Sequence, residues 1–187
     1  KLSPDLRYII VANGGVHTHP EFGRKKLNIS SMSPSIAFID RSTTSLQRIA
    51  KLPKNYRFTS IRHVCILKNN DVVVALQNQK RELENEALLA YYNYKQDHFF
   101  PIQLPQAIAK KFNHYLGDIV LDQSQQSIAS TSPKGGIIMF MHLNSKKVWI
   151  DELSDTCGVH SYLGKHSFII TSGNGDIIQY QIDLKED

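Results

Sequence analysis

The chain has 187 residues and a formal net charge of +5, because 22 Lys and Arg residues outnumber 17 Asp and Glu residues. Apolar residues make up 41% of the sequence and charged residues 21%, which excludes wholesale disorder. The longest apolar runs reach about five residues, whereas a transmembrane helix needs about 20. Two cysteines exclude a disulfide scaffold and a four-cysteine zinc site. We therefore expect one globular domain without a transmembrane segment.

The excess of basic residues does not predict a nucleic-acid partner. Apart from Arg24, Lys25 and Lys26, the basic residues are scattered, and acidic residues alternate with them at 80–84. No motif for groove or single-strand binding is present in the sequence. We therefore interpret the net charge as a solvated surface and expect no nucleic-acid partner.

Four segments of the chain share one pattern, in which a short apolar run ends in small or polar turn residues. They are Tyr8–Gly15, Asp71–Gln77, Ser127–Gly136 and Ser167–Gly175. Further apolar runs precede and follow them, at 61–67, 118–121, 159–163, 35–40, 88–94, 137–143, 176–182, 46–52, 99–104 and 147–153. Runs of this length, rich in Val, Ile, Phe and Tyr and bounded by turn residues, predict strands in antiparallel units.

The repeat predicts an all-β protein, a β-propeller of about four blades with four antiparallel strands each. We place the blades at about 1–53, 58–116, 117–155 and 156–187, and the last blade lacks its outermost strand. The abrupt start of the chain favours part of a seven-blade ring. Such a half-ring exposes sheet edges through which copies can associate. A β-sandwich is the alternative fold.

Two insertions interrupt this repeat. The second of them, at 105–115, places Ile108, Phe112 and Tyr115 at helical spacing and predicts one short amphipathic helix. The first, at 16–34, is a long non-repetitive loop, and loops of that length in a compact domain are often functional.

The first insertion carries the strongest candidate site. His17 and His19 lie two residues apart, so in an extended segment both rings face one side and suit a shared transition metal or anion. His63 is the third candidate metal ligand, and Glu21 or His160 are alternatives. Asn13, Arg24 and Lys26 are candidate ligand-binding residues of the same region. The structural alternative is that the rings bond to backbone carbonyls and fix the loop.

A second polar group lies on the inner strands of the next unit. Arg62 and His63 occupy a strand that would line the channel of a propeller, and Gln77 and Gln79 end the neighbouring strand. A cation, a titratable ring and two amides at one opening predict a cradle for a polar ligand. The structural alternative is a polar network between blades.

No motif predicts catalytic residues. The sequence contains no Gly-x-Ser-x-Gly elbow, and we expect Cys65 and Cys157 to be buried as small apolar side chains. The sequence therefore favours a non-catalytic binding or interaction module. The alternative is a metal-dependent, lactonase-like hydrolase, in which a channel metal polarises a carbonyl with Asp118, Asn69 and the histidines as candidate ligands.

The ordered motifs resemble the C-terminal half of a bacterial propeller-type domain family of unknown function. The motifs are Val11–Pro20, Arg24 with Lys26–Asn28, Met32–Ser35, Ser60–His63, Ser132–Gly136, Cys157–Val159 and Thr171–Gly173. One departure is Lys134, where the family usually has arginine. Members are exported by the twin-arginine route and encoded near imelysin-type iron-uptake proteins. The resemblance implies a periplasmic location, a periplasmic protein partner and a link to iron or metal uptake.

Overall fold

The computed structural model describes residues 1–80 and 87–183 and contains four antiparallel sheets. Sheet 1 consists of β1 (Tyr8–Asn13), β2 (Ser35–Asp40) and β3 (Leu46–Lys51). Sheet 2 consists of β4 (Thr59–Ile66), β5 (Val72–Asn78), β6 (Leu89–Asn93) and β7 (His98–Ile102). Sheet 3 consists of β8 (Ile119–Leu121), β9 (Ser127–Ser132), β10 (Ile137–His142) and β11 (Val148–Glu152). Sheet 4 consists of β12 (Thr156–Ser161), β13 (Ser167–Ser172) and β14 (Ile177–Gln181).

Each sheet is a meander in which every strand pairs with its neighbours in the chain. This arrangement confirms the predicted all-β fold of repeated antiparallel units. The chain divides into two compact parts, unit 1 (Lys1–Ile102) with sheets 1 and 2 and unit 2 (Gln103–Asp187) with sheets 3 and 4. A bridge between Leu2 and Ile9 adds a trace of a preceding strand to sheet 1. The blade limits and the seven-blade ring stay predictions.

The core of unit 1 lies between sheets 1 and 2. Ile10 and Phe38 from sheet 1 pack with Val74 and Tyr92 from sheet 2, and all four are almost completely buried. The Phe38 and Tyr92 ring centres lie 5.7 Å apart. Burial of such side chains contributes about 1.5–3 kcal/mol each, so this aromatic contact fixes the two sheets against each other.

Unit 1 has two chemically different ends. The loop end comprises residues 13–34, 51–62 and 77–80, and the turn end comprises the tight turns at 41–45, 67–71 and 94–97. Antiparallel pairing places these segments at opposite ends of each sheet.

At the turn end, aspartate side chains are used to build the turns. Asp71 is buried, accepts a hydrogen bond from the Tyr94 backbone N–H at 2.7 Å and binds the Tyr91 hydroxyl. Asp40 accepts from the backbone N–H groups of Ser42 at 2.9 Å and Thr43 at 3.0 Å. Hydrogen bonds from the Ser42 hydroxyl and then the Thr43 backbone lower the pKa of Asp40 to about 2. Both carboxylates therefore serve the local fold.

Unit 2 contains the predicted helix and its own core. The helix α1 (Gln106–Ala109) continues as a 3-10 turn to Phe112, whose side chain is fully buried. The Ser132 hydroxyl donates to the Phe112 carbonyl at 3.0 Å, which joins this segment to β9. Phe140 and Phe168 pack between sheets 3 and 4 with ring centres 5.6 Å apart. Among the described residues no helix is long and apolar enough to cross a membrane.

The prediction that both cysteines are buried is wrong for one of them. Cys65 is buried, but Cys157 is exposed. Thr156 takes the inward position on β12, so the next side chain points outward, and the Cys157 thiol donates to the Asp155 carbonyl at 3.2 Å. Desolvation and then the Asp155 carboxylate raise the pKa of Cys157, which opposes formation of a nucleophilic thiolate.

Candidate binding site at the loop end of unit 1

Two asparagines close the base of the long segment between β1 and β2. The Asn28 carboxamide accepts from the His17 backbone N–H at 2.7 Å and donates to the Gly15 carbonyl at 2.9 Å. The Leu27 backbone N–H donates to the His17 carbonyl at 2.9 Å. At the end of β1, the Asn13 carboxamide accepts from the Gly15 N–H at 3.1 Å. We call this set of hydrogen bonds between residues 15–17 and 27–28 the Asn28 clamp.

The two glycines after Asn13 are required by close backbone approach. A Cβ on Gly14 would lie 2.4 Å from the Ser60 hydroxyl, which places the loop base directly against β4. Gly15 has a φ of +71°, and a Cβ there would lie 2.7 Å from the Pro34 nitrogen. The glycine pair therefore joins the loop both to sheet 2 and to the start of β2.

The apex of the loop presents polar side chains to solvent. The 3-10 turn Pro20–Phe22 begins at His19, whose Nδ1 accepts from the Glu21 backbone N–H at 3.4 Å. The His19 side chain is 54% exposed and the Glu21 side chain 80% exposed. Because Nδ1 faces the turn, the His19 Nε2 is presented outward. His17 is also exposed.

The predicted residues of β4 and β5 lie at the same end. A β-bulge between Ile61 and His63 makes Arg62 and His63 consecutive exposed residues, where a regular strand would alternate. Gln77 pairs with Ser60 at the end of β5 and is half-buried.

All eight predicted site residues therefore lie at the loop end or one residue from it: Asn13, His17, His19, Arg24, Lys26, Arg62, His63 and Gln77. The fold therefore brings these residues to one end of unit 1.

Sequence reasoning missed an aromatic residue flanked by two cations. The Arg57 guanidinium carbon lies 4.4 Å from the centre of the Phe58 ring, and the Lys80 ammonium lies 4.0 Å from the same centre. The Gln79 backbone N–H donates to the Phe58 carbonyl at 2.9 Å and holds these chain segments together. The signal in the sequence was a basic residue at the end of β5 and another just before β4.

The described residues of the loop end are strongly basic. Their charged side chains are eight cations and one carboxylate, all of them exposed: Arg24, Lys25, Lys26, Lys51, Lys54, Arg57, Arg62 and Lys80 against Glu21. The acidic residues that alternate with Lys80 and Arg81 in the sequence, Glu82 and Glu84, lie outside the described residues. Exposed charges of one sign raise the local potential and attract anions, over a range set by a Debye length of about 8–10 Å.

Within the described residues, the structure provides no set of metal ligands for either the predicted metal site or the alternative hydrolase. Residues 1–80 and 87–183 contain no group of three or more His, Cys, Asp or Glu side chains that could hold a metal ion. Asn69 donates to Asp71 at 2.6 Å and helps to build a turn. The Asp118 carboxylate accepts from the backbone N–H groups of Ile119 at 2.9 Å and Val159 at 3.4 Å. His17, His19 and His63 stay predicted metal ligands.

Comparisons with known structures support the fold. The structure described as "Structure of U3-55K" has a TM-score of 0.63 and 5% sequence identity, and the match covers 96% of this chain and 44% of that one. "Crystal structure of Nidogen/Laminin Complex" has a TM-score of 0.59 and 10% identity, over 93% of this chain and 57% of that one. The chain thus spans about half the length of these structures. At these identities the likeness shows only the fold, which is propeller-like.

The sequence itself identifies a family. No curated protein matches it significantly. The family model described as "Protein of unknown function (DUF1513)" matches residues 1–186, which is nearly the whole length. The chain therefore belongs to this family of propeller-like proteins of unknown function.

Proposed function

We propose that the protein is a non-catalytic binding module and that the loop end of unit 1 binds a small anion that carries carboxylate or phosphate groups. Guanidinium and ammonium groups are the side chains that bind such oxyanions most strongly. The loop end supplies them together with the amide of Gln77 and the imidazoles of His17 and His19.

One observation carries this proposal, namely the difference between the base and the apex of the long loop. The Asn28 clamp satisfies backbone groups at the base, whereas Arg24 and Lys26 at the apex are exposed. A fixed base with free charged side chains reduces the entropy lost on binding, because the backbone is already ordered.

The Phe58 cluster provides a second contact for the same ligand. Arg57 and Lys80 both lie close to one ring, so their charges are held near each other. An anion placed between them relieves this repulsion. A ligand with two or three anionic groups can therefore contact the loop apex and this cluster at once.

Calorimetric titration of the full 187-residue chain with citrate and with inorganic phosphate tests the proposal. We expect binding that weakens as salt rises from 20 to 150 mM, since screening reduces the attraction between exposed charges (concentrations of this order bracket a Debye length of about 8–20 Å). The double variant Arg24→Ser/Lys26→Ser should weaken binding about tenfold, which corresponds to about 1.4 kcal/mol.

A matched control makes the same charge change at the turn end. Arg41→Ser/Lys95→Ser removes two exposed cations from turns at the turn end of sheets 1 and 2, opposite the loop end. We expect this variant to bind as the wild type does, within about twofold. The proposal would be refuted if neither citrate nor phosphate bound, or if the affinity fell equally in both double variants.

A transition metal is the second candidate ligand of the loop, and the outward Nε2 of His19 beside exposed His17 favours it. His63 is its predicted third ligand. Titration of the chain with Fe²⁺, Zn²⁺ and Cu²⁺ should then give a binding event that His17→Ala/His19→Ala removes and His114→Ala leaves unchanged. Unchanged affinity in the double variant would rule out metal binding by this loop.

We also propose that the protein acts in the periplasm, with a protein partner and a role linked to iron or metal uptake. The family resemblance of the motifs supports this location. Fractionation of the native cells, followed by detection of the protein beside periplasmic and cytoplasmic markers, tests it. Recovery with the cytoplasmic marker would contradict the proposal, and affinity capture from a periplasmic extract is the test for a partner.

A second copy of the chain is the proposed occupant of the sheet edge at β14. Within the described residues β14 pairs only with β13, and its Ile177 is 75% exposed. The Ile182 N–H donates to the His166 carbonyl, and hydrogen-bonded residues alternate along an antiparallel ladder, so the Gln179 N–H points away from β13.

Gln179→Pro removes that donor, and we expect this variant to be monomeric in light scattering, whereas the wild type and Gln179→Ala are dimeric. A monomeric wild type at 100 µM, a concentration about tenfold above a Kd of 10 µM, would exclude this edge.

A further inference from the structure

Two histidines of unit 2 face each other outside the site described above. His142 ends β10 and His166 directly precedes β13. Their ring centres lie 6.2 Å apart and the ring planes make an angle of 76°. Both residues are half-buried, and they belong to the turns between β10 and β11 and between β12 and β13. The strands of sheets 3 and 4 therefore fix their backbones.

Hydrogen bonds orient the His166 ring. Its Nδ1 lies 2.9 Å from the Ser127 hydroxyl and 3.4 Å from Oδ2 of the buried Asp122. The His166 backbone N–H also donates to Asp122, at 2.8 Å. A carboxylate beside Nδ1 favours the tautomer with hydrogen on that atom, which leaves the Nε2 lone pair free to bind an electrophile. Metal-binding histidines commonly use such a carboxylate to orient the ring.

Contacts with Ser145 orient the His142 ring. Its Nδ1 lies 2.9 Å from the Ser145 hydroxyl, which can accept a hydrogen bond from Nδ1–H. The backbone N–H of Ser145 makes only a longer contact with the same atom, at 3.3 Å. With hydrogen on Nε2, the Nδ1 atom accepts both contacts, so metal binding through Nε2 requires the other tautomer, in which Nδ1–H donates to the Ser145 hydroxyl and the longer N–H contact is lost.

We propose that His142 and His166 form a two-imidazole site for a divalent transition metal of the Zn²⁺ or Cu²⁺ type. A Zn–N bond of about 2.1 Å places the ion about 3.2 Å from each ring centre and two rings about 5–6 Å apart. The observed 6.2 Å is about 1 Å longer than this range at most, so the two rings have to approach and turn their Nε2 atoms towards one point to bind the ion.

The site offers two protein ligands and leaves the other positions open. In the described part of the chain no third His, Cys, Asp or Glu completes a metal group, and the Asp122 carboxylate already accepts from the Gln126 and Ser127 backbone N–H groups at 2.9 Å. Water or a donor atom of another molecule fills the remaining positions. An ion with open coordination positions can bind a ligand or a partner directly, whereas a structural zinc has all four positions filled by protein ligands.

Titration of the full chain with Co²⁺, followed by visible absorbance, and with Zn²⁺, followed by calorimetry, tests the proposal. We expect one equivalent bound in addition to any metal held by the loop histidines, a Co²⁺ absorbance band typical of low coordination number, and loss of at least tenfold in affinity for this equivalent in His142→Asn. His114→Asn, which replaces another half-buried histidine of unit 2, is the matched control and should bind as the wild type. The loop variant His17→Ala/His19→Ala should also retain this site, which separates it from the proposed function of unit 1.

His166→Asn is the less informative variant, because the ring packs beside the buried Asp122 and its loss can affect folding. NMR of the histidine rings in the wild-type chain therefore provides an independent measurement. Zn²⁺ should shift the ring signals of His142 and His166 before those of the other histidines. Equal Zn²⁺ affinity in His142→Asn and wild type, or absence of any Zn²⁺-dependent shift at these two rings, would overturn the proposal.

Discussion

The two ends of unit 1 are built on the same strands but use their polar residues differently. At the turn end, the Asp40 and Asp71 carboxylates bond to backbone N–H groups a few residues away. At the loop end, asparagine and glycine fix the backbone, while the charged side chains stay exposed. Polar side chains whose hydrogen-bonding groups are already bonded to the local backbone have little remaining capacity to bind a ligand.

This difference separates stability from binding. Changes at the turn end should lower the free energy of unfolding and leave anion binding intact. Changes at the loop apex should do the reverse, because exposed charges contribute little to stability. The predictions below test this separation, in order of decreasing effect.

Asp71→Ala should have the largest effect, a loss of about 3–4 kcal/mol in the free energy of unfolding. The variant leaves the Tyr94 N–H, the Tyr91 hydroxyl and the Asn69 amide without their buried acceptor, and each unsatisfied group costs about 1–3 kcal/mol. Urea denaturation measures the loss, and Lys95→Ala at the same end is the control, with an expected change below about 0.5 kcal/mol. A loss below about 1 kcal/mol for Asp71→Ala would show that the turn does not depend on its carboxylate.

Gly15→Ala should lower the free energy of unfolding by about 2–3 kcal/mol, because the new Cβ is strained by the positive φ and also clashes with the Pro34 nitrogen. Gly23 also has a positive φ, of +58°, but a Cβ there meets no atom within 4 Å. Gly23→Ala is therefore the matched variant, with an expected loss of about 1 kcal/mol from the backbone conformation alone. Equal losses in the two variants would mean that the contact with Pro34 has no energetic weight.

Asn28→Ala should cost about 1–2 kcal/mol, since it removes both hydrogen bonds of the carboxamide in the Asn28 clamp. Asn28→Asp retains the acceptor for the His17 N–H and should lose about half as much. Hydrogen exchange at the His17 amide provides the direct measurement and should accelerate in the alanine variant. Unchanged exchange would show that the loop base is held by other contacts.

The pH dependence at Asp40 should be the smallest effect. Its pKa is lowered from 3.8 to about 2 in the folded chain, so its contribution is complete above pH 4 and is lost as the pH falls towards 2. Wild type should therefore have a higher Tm than Asp40→Asn at pH 7, and the difference should shrink by pH 2.5. If the Tm difference stayed constant between these pH values, the stabilisation by Asp40 would not depend on ionisation of its carboxyl group.

Much of the fold could be predicted because its signals are local. Apolar runs bounded by turn residues indicated the strands, and the spacing of Ile108 and Phe112 indicated the helix. The outward position of Cys157 was missed because the inward position on β12 belongs to its neighbour Thr156. A strand pattern of alternate residues does not by itself state which face is buried.

The candidate site was predictable in its residues but not in its construction. His17 and Arg24 stood out because the loop is long and polar. The Asn28 clamp joins residues 11 and 13 positions apart, and the Phe58 cluster joins residues from different strand ends. The β4 bulge, which exposes Arg62 and His63 together, arises from pairing with β5. Contacts of this kind depend on tertiary structure and leave no periodic pattern in the sequence.

The Asn28 clamp has a consequence for engineering. It closes the loop below residues 18–26, so those nine positions lie beyond the hydrogen bonds that fix the loop base. Loop-closure entropy grows by only about 0.6 kcal/mol for each doubling of length, so a grafted peptide of different size and chemistry should be tolerated there. The same scaffold can in this way display a recognition sequence of choice, as the basis of a sensor or an affinity reagent.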